Sequence, residues 1–462
     1  METLENWALE ELETLELGDK RLNRRCESLL TTLSTNPKES IPVACKSWAE
    51  TIAAYRFLDN VSVTPEKILA PHQKATLARV KAEEVVLMVQ DTTEIKYQER
   101  KPIKGLGKMS YPLEQGLHLH PTLAITPEKV CLGVIDKKTW IREALGEKPK
   151  RRQKKIEDKE SYCWIESYRA SDEVAKACPN TLIVNVSDRE GDIYELFLER
   201  EESEENQAHW LIRSSQNRRL LNPKTKEPLM EKLYDRANKA PVLGQMKFEL
   251  SGTAGRKART VKQEIRGRRI CIRPPYNKGV NTPTIEATII VCRETKPPKG
   301  EEPIEWFLLT SVPLDTPERG LQIVQWYLCR WQIEIFFKTL KTGCEIEELQ
   351  LQSYERIVNC LALYMVVSWR ILYVTMLGRN NPDIACDLVF SKDEWNAVYA
   401  VVHKKNPPKK PPRLYDMIRM VASLGGFLGR KRDGEPGPQS MWIGMQRMND
   451  FAIAWPIFRG LK

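Results

Sequence analysis

Two short apolar runs, each closed by an aspartate, constrain this chain most. Val85 to Val89 is a continuous β-rich stretch that ends at Gln90-Asp91-Thr92-Thr93, and Thr181 to Val186 is a second that ends at Ser187-Asp188. A strand that is apolar along its whole length has no face to give to water, so it belongs inside a sheet covered on both sides. A helical pattern begins straight after the second run with Asp192, Tyr194, Leu196 and Phe197. In α/β architectures of this kind, side chains at the carboxyl ends of neighbouring strands converge on one crevice. Two carboxylates placed there make a hard-oxygen site suited to magnesium or manganese. Taken singly, each aspartate has a simpler reading as a turn or helix-capping residue.

A third acidic residue stands out by its helical spacing. A long helix is predicted from Pro317 to about Lys341, with helical pattern continuing to Leu377. Within it Tyr327, Arg330, Glu334, Lys338 and Lys341 fall on one narrow stripe at 100° per residue. Val324, Leu328, Trp331 and Ile335 form an apolar stripe beside it, with Trp331 read as core or, next to Arg330, as a second wedge. Such a helix can seat on a core while presenting one carboxylate amid cations. The alternative is a salt-bridged solvent face in which Glu334 and Lys338 form an ordinary i, i+4 pair.

With 462 residues the chain is too long for one simple core and should hold two or more domains. Lys plus Arg number 72 against 62 Asp plus Glu, a net charge of +10 that favours an anionic partner such as nucleic acid or else describes a solvated basic surface. The 11 cysteines show no C-x-x-C pair, which speaks against disulfides and structural zinc and for a reducing cytosol. Met1 to Lys20 carries seven acidic residues and one basic one, the opposite of a signal peptide. Cys360 to Leu377 is interrupted by Arg370 and reads as a buried helix, so no membrane contact is expected. Lys104-Gly105-Leu106-Gly107-Lys108 lacks the phosphate-loop spacing, so no nucleotide cofactor is expected.

Residues 1 to about 70 read as short helices, either a DNA-docking module or a plain helical cap. Residues from about 200 to 312 read as an inserted β-rich region, with strands at Trp210 to Arg213, Lys247 to Leu250, Glu286 to Cys292 and Trp306 to Thr310. Inside it Arg256 to Arg273 holds eight basic residues and one acid, so Arg256, Arg259, Arg266 and Arg268 would lay a cationic face along a phosphate backbone. Lys148 to Lys155 reads as a basic solvated loop, and residues 404 to 413, with five basic residues and four prolines, as a linker. Leu414 to Lys462 reads as helical, broken at Leu424-Gly425-Gly426 and at Gly434 to Pro438, with a short last helix.

Taken together these residues resemble a known family, the bacterial insertion-sequence transposases of the transposon-five type, ribonuclease-H-like enzymes built on two aspartates and a glutamate. The resemblance rests on Gln90-Asp91-Thr92-Thr93, on Ser187-Asp188-Arg189-Glu190-Gly191-Asp192-Ile193, and on the signature Tyr-(2)-Arg-(3)-Glu-(6)-Lys at Tyr327, Arg330, Glu334 and Lys341. It extends to Leu17-Gly18-Asp19-Lys20-Arg21, Ala54-Tyr55-Arg56-Phe57-Leu58, Pro297-Pro298-Lys299-Gly300, Trp306-Phe307-Leu308-Leu309-Thr310-Ser311 and Leu424-Gly425-Gly426-Phe427.

The resemblance implies an α/β fold: a ribonuclease-H-like catalytic core over residues 71–378 with the β-rich insertion at about 200–312. It would be flanked by a helical DNA-binding domain at 1–70 and a helical dimerisation domain at 379–462. It implies a cut-and-paste DNA transposase in which Asp91, Asp188 and Glu334 bind Mg2+, with Mn2+ able to substitute. Tyr327, Arg330, Lys341 and Lys338 would hold DNA phosphates, and Trp306 would stack a flipped base, where composition alone reads a core aromatic. The partners implied are double-stranded DNA, as transposon terminal inverted repeats and target, and a second copy of the chain, in the bacterial cytoplasm and on the nucleoid. His118 stands where close relatives carry an aromatic, and reads as a packed strand histidine. Glu435-Pro436-Gly437-Pro438 interrupts the dimerisation region, so the dimer contact is expected to differ. A different metal-dependent nuclease of the same fold and a non-catalytic, domesticated DNA-binding protein are the competing readings.

Overall fold

The computed structural model describes residues 6–98, 102–109, 114–142, 155–201, 207–250, 258–276, 278 and 281–459. Arg256 and nearly all of the basic run at 148–155 lie outside the described residues. The chain divides into two compact units, one of residues 81–91 and 149–331, the other of residues 1–80, 92–148 and 332–462.

Along the chain, helices α1 (Asn6–Glu11), α2 (Lys20–Thr35), α3 (Ile41–Cys45), α4 (Trp48–Leu58) and α5 (Pro65–Val80) come first. Strands β1 (Val85–Gln90), β2 (Thr93–Gln98), β3 (Gly107–Lys108), β4 (Glu114–Ile125) and β5 (Cys131–Trp140) follow. Next are α6 (Tyr162–Ala177), β6 (Leu182–Ser187), α7 (Tyr194–Glu201), β7 (His209–Arg213), β8 (Arg219–Leu221), β9 (Pro228–Lys232) and α8 (Leu233–Asn238). Then come β10 (Val242–Leu250), β11 (Arg259–Ile272), β12 (Ile285–Glu294), β13 (Glu305–Thr310), α9 (Pro317–Leu328) and α10 (Trp331–Lys338). The rest is helical: α11 (Tyr354–Asn380), α12 (Lys392–His403), α13 (Leu414–Leu424) and α14 (Pro438–Arg459).

In the first unit β1 pairs parallel with β6, and β6 parallel with β7. The two apolar runs thus lie side by side, as continuous burial requires. A buried polar relay fixes their register: Gln90 Nε2 donates to Asn185 Oδ1 at 2.6 Å, and Asn185 Nδ2 to Ser171 Oγ of α6 at 2.8 Å. Slipping either strand would strand these groups without partners in an apolar layer. From β7 the sheet continues antiparallel through β13, β12 and β11, with β10 and the β8–β9 pair beyond. The inserted β-rich region is there, with one correction: Trp210 to Arg213 belongs to the parallel core. A local pattern of five residues carries no information on which strand it will pair with.

The second unit holds β2, β4 and β5 as an antiparallel sheet, with β3 beside β4. Helix α11 runs 27 residues and passes the length and hydropathy requirement for crossing a membrane, yet its apolar window is 89% buried inside the protein. It is a core helix, and α2, α4, α5, α13, α14 and β5 pack on it. His118 is buried and stacked on Trp140, with ring centroids 5.2 Å apart, a packed strand histidine. The break at Leu424-Gly425-Gly426 ends α13, and α13 meets α14 backbone to backbone: a Cβ on Gly444 would stand 2.0 Å from the Val421 carbonyl oxygen. The last helix is longer than expected, 22 residues with Pro456 inside its final turn. All 11 cysteines are thiols, ten of them buried.

The helix predicted without interruption from Pro317 to Lys341 is broken. Cys329 N and Arg330 N donate to the carbonyls of Trp326 and Tyr327, three residues back, both at 3.0 Å, an overwound turn between α9 and α10. Beyond Lys338 the chain is underwound into a π turn at Thr339–Gly343, where Cys344 N reaches the Thr339 carbonyl at 2.9 Å.

Candidate active site

The register of the parallel core places its carboxyl edge. Val89 pairs with Val186, and Ser187 with Ile212. Two steps further Asp91 comes level with Asp188, and one step further Asp188 comes level with Arg213. Neighbouring strands lie about 4.8 Å apart, so two carboxylates and a guanidinium share one rim of three strands. Arg213 escaped the sequence reading. Its one signal was its place at the end of a strand, and that strand's partners are set at long range.

Asp188 is a capping residue as well: its Oδ1 accepts from Glu190 N at 2.7 Å and starts a short 3-10 turn, Arg189–Gly191. The turn requires glycine, since a Cβ at Gly191 would meet Ser187 Oγ at 2.2 Å. Asp192 then secures the turn from beneath. Its fully buried carboxylate accepts from Ser215 N at 2.8 Å, Gln216 N at 3.0 Å and Arg218 Nη2 at 2.6 Å. The Arg218 guanidinium in turn lies 5.2 Å over the Phe197 ring. Sequence reading misses this buried pair too: there Asp192 shows as the start of a helix pattern and as part of the Ser187–Ile193 box, with no partner.

Around the aspartates stand the residues that end α9. Arg330 Nη1 donates to Asp91 Oδ2 at 2.8 Å, with both side chains largely buried. The Tyr327 hydroxyl is held above its ordinary pKa, chiefly by burial, against the opposing pull of Arg330 and Arg213. Arg213 is pushed below its usual value by burial and by the charges of Arg189 and Arg330, while Tyr327 and Asp188 act the other way. Cationic side chains that keep their charge next to carboxylates at a strand rim are suited to receiving phosphate oxygens. Trp306 is half-buried, its ring 5.5 Å from Phe248 and 6.2 Å from Tyr327.

The second unit carries Glu334 exposed in the first turn of α10. Lys338 donates to Gln439 Oε1 at 3.5 Å, and Lys341 donates to the Glu94 carbonyl and lies 3.5 Å from Glu347. Trp331, expected in the core, is 58% exposed, its ring lying 5.3 Å under the Arg330 guanidinium. The pitch change at Cys329–Arg330 turns it off the apolar stripe. Among the described residues no three His, Cys, Asp or Glu side chains are gathered as a metal-holding group. The structure brings together Asp91 and Asp188, with Tyr327, Arg330 and Arg213 about them.

The basic strand divides by its own alternation. Along β11 Val261, Gln263, Ile265 and Gly267 are buried, so Lys262, Glu264, Arg266 and Arg268 share the opposite face. Arg259 lies on the buried-residue face, ion-paired to Glu294 and, at 3.0 Å, to Glu301. The expected single cationic face including Arg259 is therefore corrected: its charge is spent within the sheet.

A parallel core with acidic residues at its carboxyl edge, preceded and followed by helical segments, defines an α/β enzyme with a ribonuclease-H-like core. Three family models match the chain: Transposase DNA-binding over residues 4–63, Transposase DDE domain over 200–369, and Transposase Tn5 dimerisation domain over 366–456. The chain belongs to the DDE transposases of the Tn5 type. It is a metal-dependent enzyme that cleaves DNA and transfers strands, binds DNA and forms homodimers. The DDE match contains the whole Tyr327, Arg330, Glu334, Lys341 signature; Asp91 and Asp188 precede it.

Proposed function

We propose that this transposase moves its element by cut-and-paste, with Asp91, Asp188 and Glu334 as the metal-binding carboxylates and Mg2+ as the working ion, Mn2+ substituting. The observation that carries the reading is the pair of aspartates level on adjacent parallel strands. A donor set of carboxylate oxygens without histidine or thiolate fits a hard divalent cation. Glu334 is assigned with them on its signature spacing alone. Two such cations supply activation of the attacking oxygen and stabilisation of the leaving one. Water would attack first and nick the transposon end. The released 3′-hydroxyl would attack the opposite strand to form a hairpin, a second hydrolysis would open it, and the 3′ end would join target DNA. One site serves every step because each is the same displacement with a different nucleophile.

Tyr327, Arg330, Lys338 and Lys341 would hold the phosphates flanking the break, where charge develops. Trp306, next to Tyr327 and only half-buried, would stack the base displaced as the hairpin closes. We assign residues 1–70 to end recognition, 71–378 to catalysis and 379–462 to dimer formation, in the bacterial cytoplasm and on the nucleoid.

Purified full-length protein given Mg2+ and linear DNA carrying its own terminal repeats is expected to yield hairpin-capped fragments. Simple nicks alone would mark a nuclease of the same fold, and binding without cleavage a non-catalytic DNA-binding protein. The variant Trp306→Ala should still nick but form hairpins on the order of tenfold to a hundredfold less, the equivalent of one lost base stack. Equal loss at both steps, read by denaturing gel, would return Trp306 to the core.

A further inference from the structure

The outer face of the inserted sheet carries a charge pattern that the catalytic reading leaves unused. On this face of β11 stand Lys262, Glu264, Arg266 and Arg268. The register adds Lys247 of β10 directly opposite Lys262, and Arg293 of β12 opposite Glu264. Helix α8 lies over part of it, through Tyr234 stacked on Phe307 at 4.2 Å. Asn238 of α8 lines a pocket there with Glu264, Arg266, Val291 and Arg293. Trp306 is the neighbour of Phe307 along β13, so alternation turns it to the other face, with Phe248 and Tyr327.

Among the described side chains the acids of this face are already committed. Glu264 pairs with Arg266 at 2.8 Å, Glu305 with Arg293, and Glu231 with Lys239 at 2.6 Å and Arg236 at 3.4 Å. Among the described residues Lys247, Lys262 and Arg268 have no carboxylate within salt-bridge reach. Lys247 and Lys262 are exposed and directly opposed, an arrangement that costs stability in a β-sheet. Arg268 is held below its ordinary pKa by burial and by the nearby charge of Arg236, while Glu231 acts the other way. The Lys247–Lys262 juxtaposition returns nothing to the fold, and an external polyanion would neutralise it. Cations repeat about every 6.8 Å along a strand and about 4.8 Å across strands, a polar grid that suits a phosphate backbone, whereas a protein partner would call for an apolar anchor.

We infer that the face formed by β10, β11, β12 and α8 is a second DNA track, gripping the backbone of a duplex segment other than the one being cut. The inference rests on the reading that the Trp306 and Tyr327 face attends the break. Grip of this kind is independent of sequence, so its ligand is any double-stranded DNA.

The test uses the full-length chain, wild type and Lys247→Ala/Lys262→Ala, with a fluorescent 40-base-pair duplex lacking the terminal repeat. Anisotropy titrations over a series of salt concentrations should show the slope of log affinity against log salt falling by about 1.8 in the double variant, about 0.9 for each lost phosphate contact. The variant's thermal midpoint should hold or rise, since a repulsion has been removed. Lys247→Arg/Lys262→Arg should keep the wild-type slope. Wild type preloaded with a short terminal-repeat duplex should still capture the second duplex. An unchanged slope in the alanine variant, a lowered midpoint, or exclusion of the second duplex by the preloaded end each overturns the second track. Wild type that fails to cleave its own ends overturns the catalytic reading alone, and the slopes still decide this one.

Discussion

Asp188→Asn is expected to lower cleavage of terminal-repeat DNA by roughly a thousandfold or more, the rate equivalent of about 4 kcal/mol, while leaving DNA affinity within about a factor of two. The substitution separates the two roles of this side chain. An asparagine Oδ1 can still accept from Glu190 N, a bond now 2.7 Å long, so the turn at Arg189–Gly191 is kept. What goes is the negative charge beside Arg213 and level with Asp91. If the residue served only as a cap, the variant would cleave at the wild-type rate. Asp91→Asn should behave alike, with one difference: Asp91 holds Arg330, so its variant also loosens a cation placed for phosphate. Single-turnover cleavage in Mg2+, run beside anisotropy with the same duplex, gives both quantities. A loss of binding equal to the loss of rate would show that the aspartate positions DNA and not the chemistry.

Both aspartates were legible in the sequence because fully buried parallel strands leave an unbroken apolar run, and the residue that ends such a run sits at the rim. The pairing of β1 with β6 follows once two such runs exist. The break at Cys329–Arg330 was illegible for a physical reason. A turn tightened from four-residue to three-residue hydrogen bonds leaves the spacing of Val324, Leu328, Trp331 and Ile335 unchanged, so periodicity runs straight through it while the side chains beyond rotate. Trp331 was misplaced on that account. The place of β7 in the parallel core, and of Arg213 with it, depends on pairing with β6, which five residues cannot announce. The separation of Arg259 from Arg266 and Arg268 was legible in principle: odd and even positions of one strand face opposite ways. Counting charge over the whole segment concealed it.

Asp192→Ala is expected to be the most destabilising single change near the site. It leaves the Arg218 guanidinium, 7% exposed, without its carboxylate, and orphans the backbone donors of Ser215 and Gln216. Removing one partner of a buried ion pair costs about 3–5 kcal/mol, because the remaining charge stays in a low-dielectric surrounding. At roughly 2–4 °C per kcal/mol for a unit of this size, the midpoint should fall by about 6–20 °C. Removing the charge from both partners, Asp192→Ala with Arg218→Met, should recover part of that loss, since no isolated ion remains and the methionine keeps contact with Phe197. Activity should not recover in parallel. The carboxylate of Asp192 ties the segment after β7 to the turn that follows Asp188, and so sets two of the three strand ends at the rim. A double variant with a restored midpoint and still-depressed cleavage would assign Asp192 to positioning. Recovery of both would make its charge dispensable to the site, and a midpoint unmoved by Asp192→Ala would mean that the buried pair does not secure the turn.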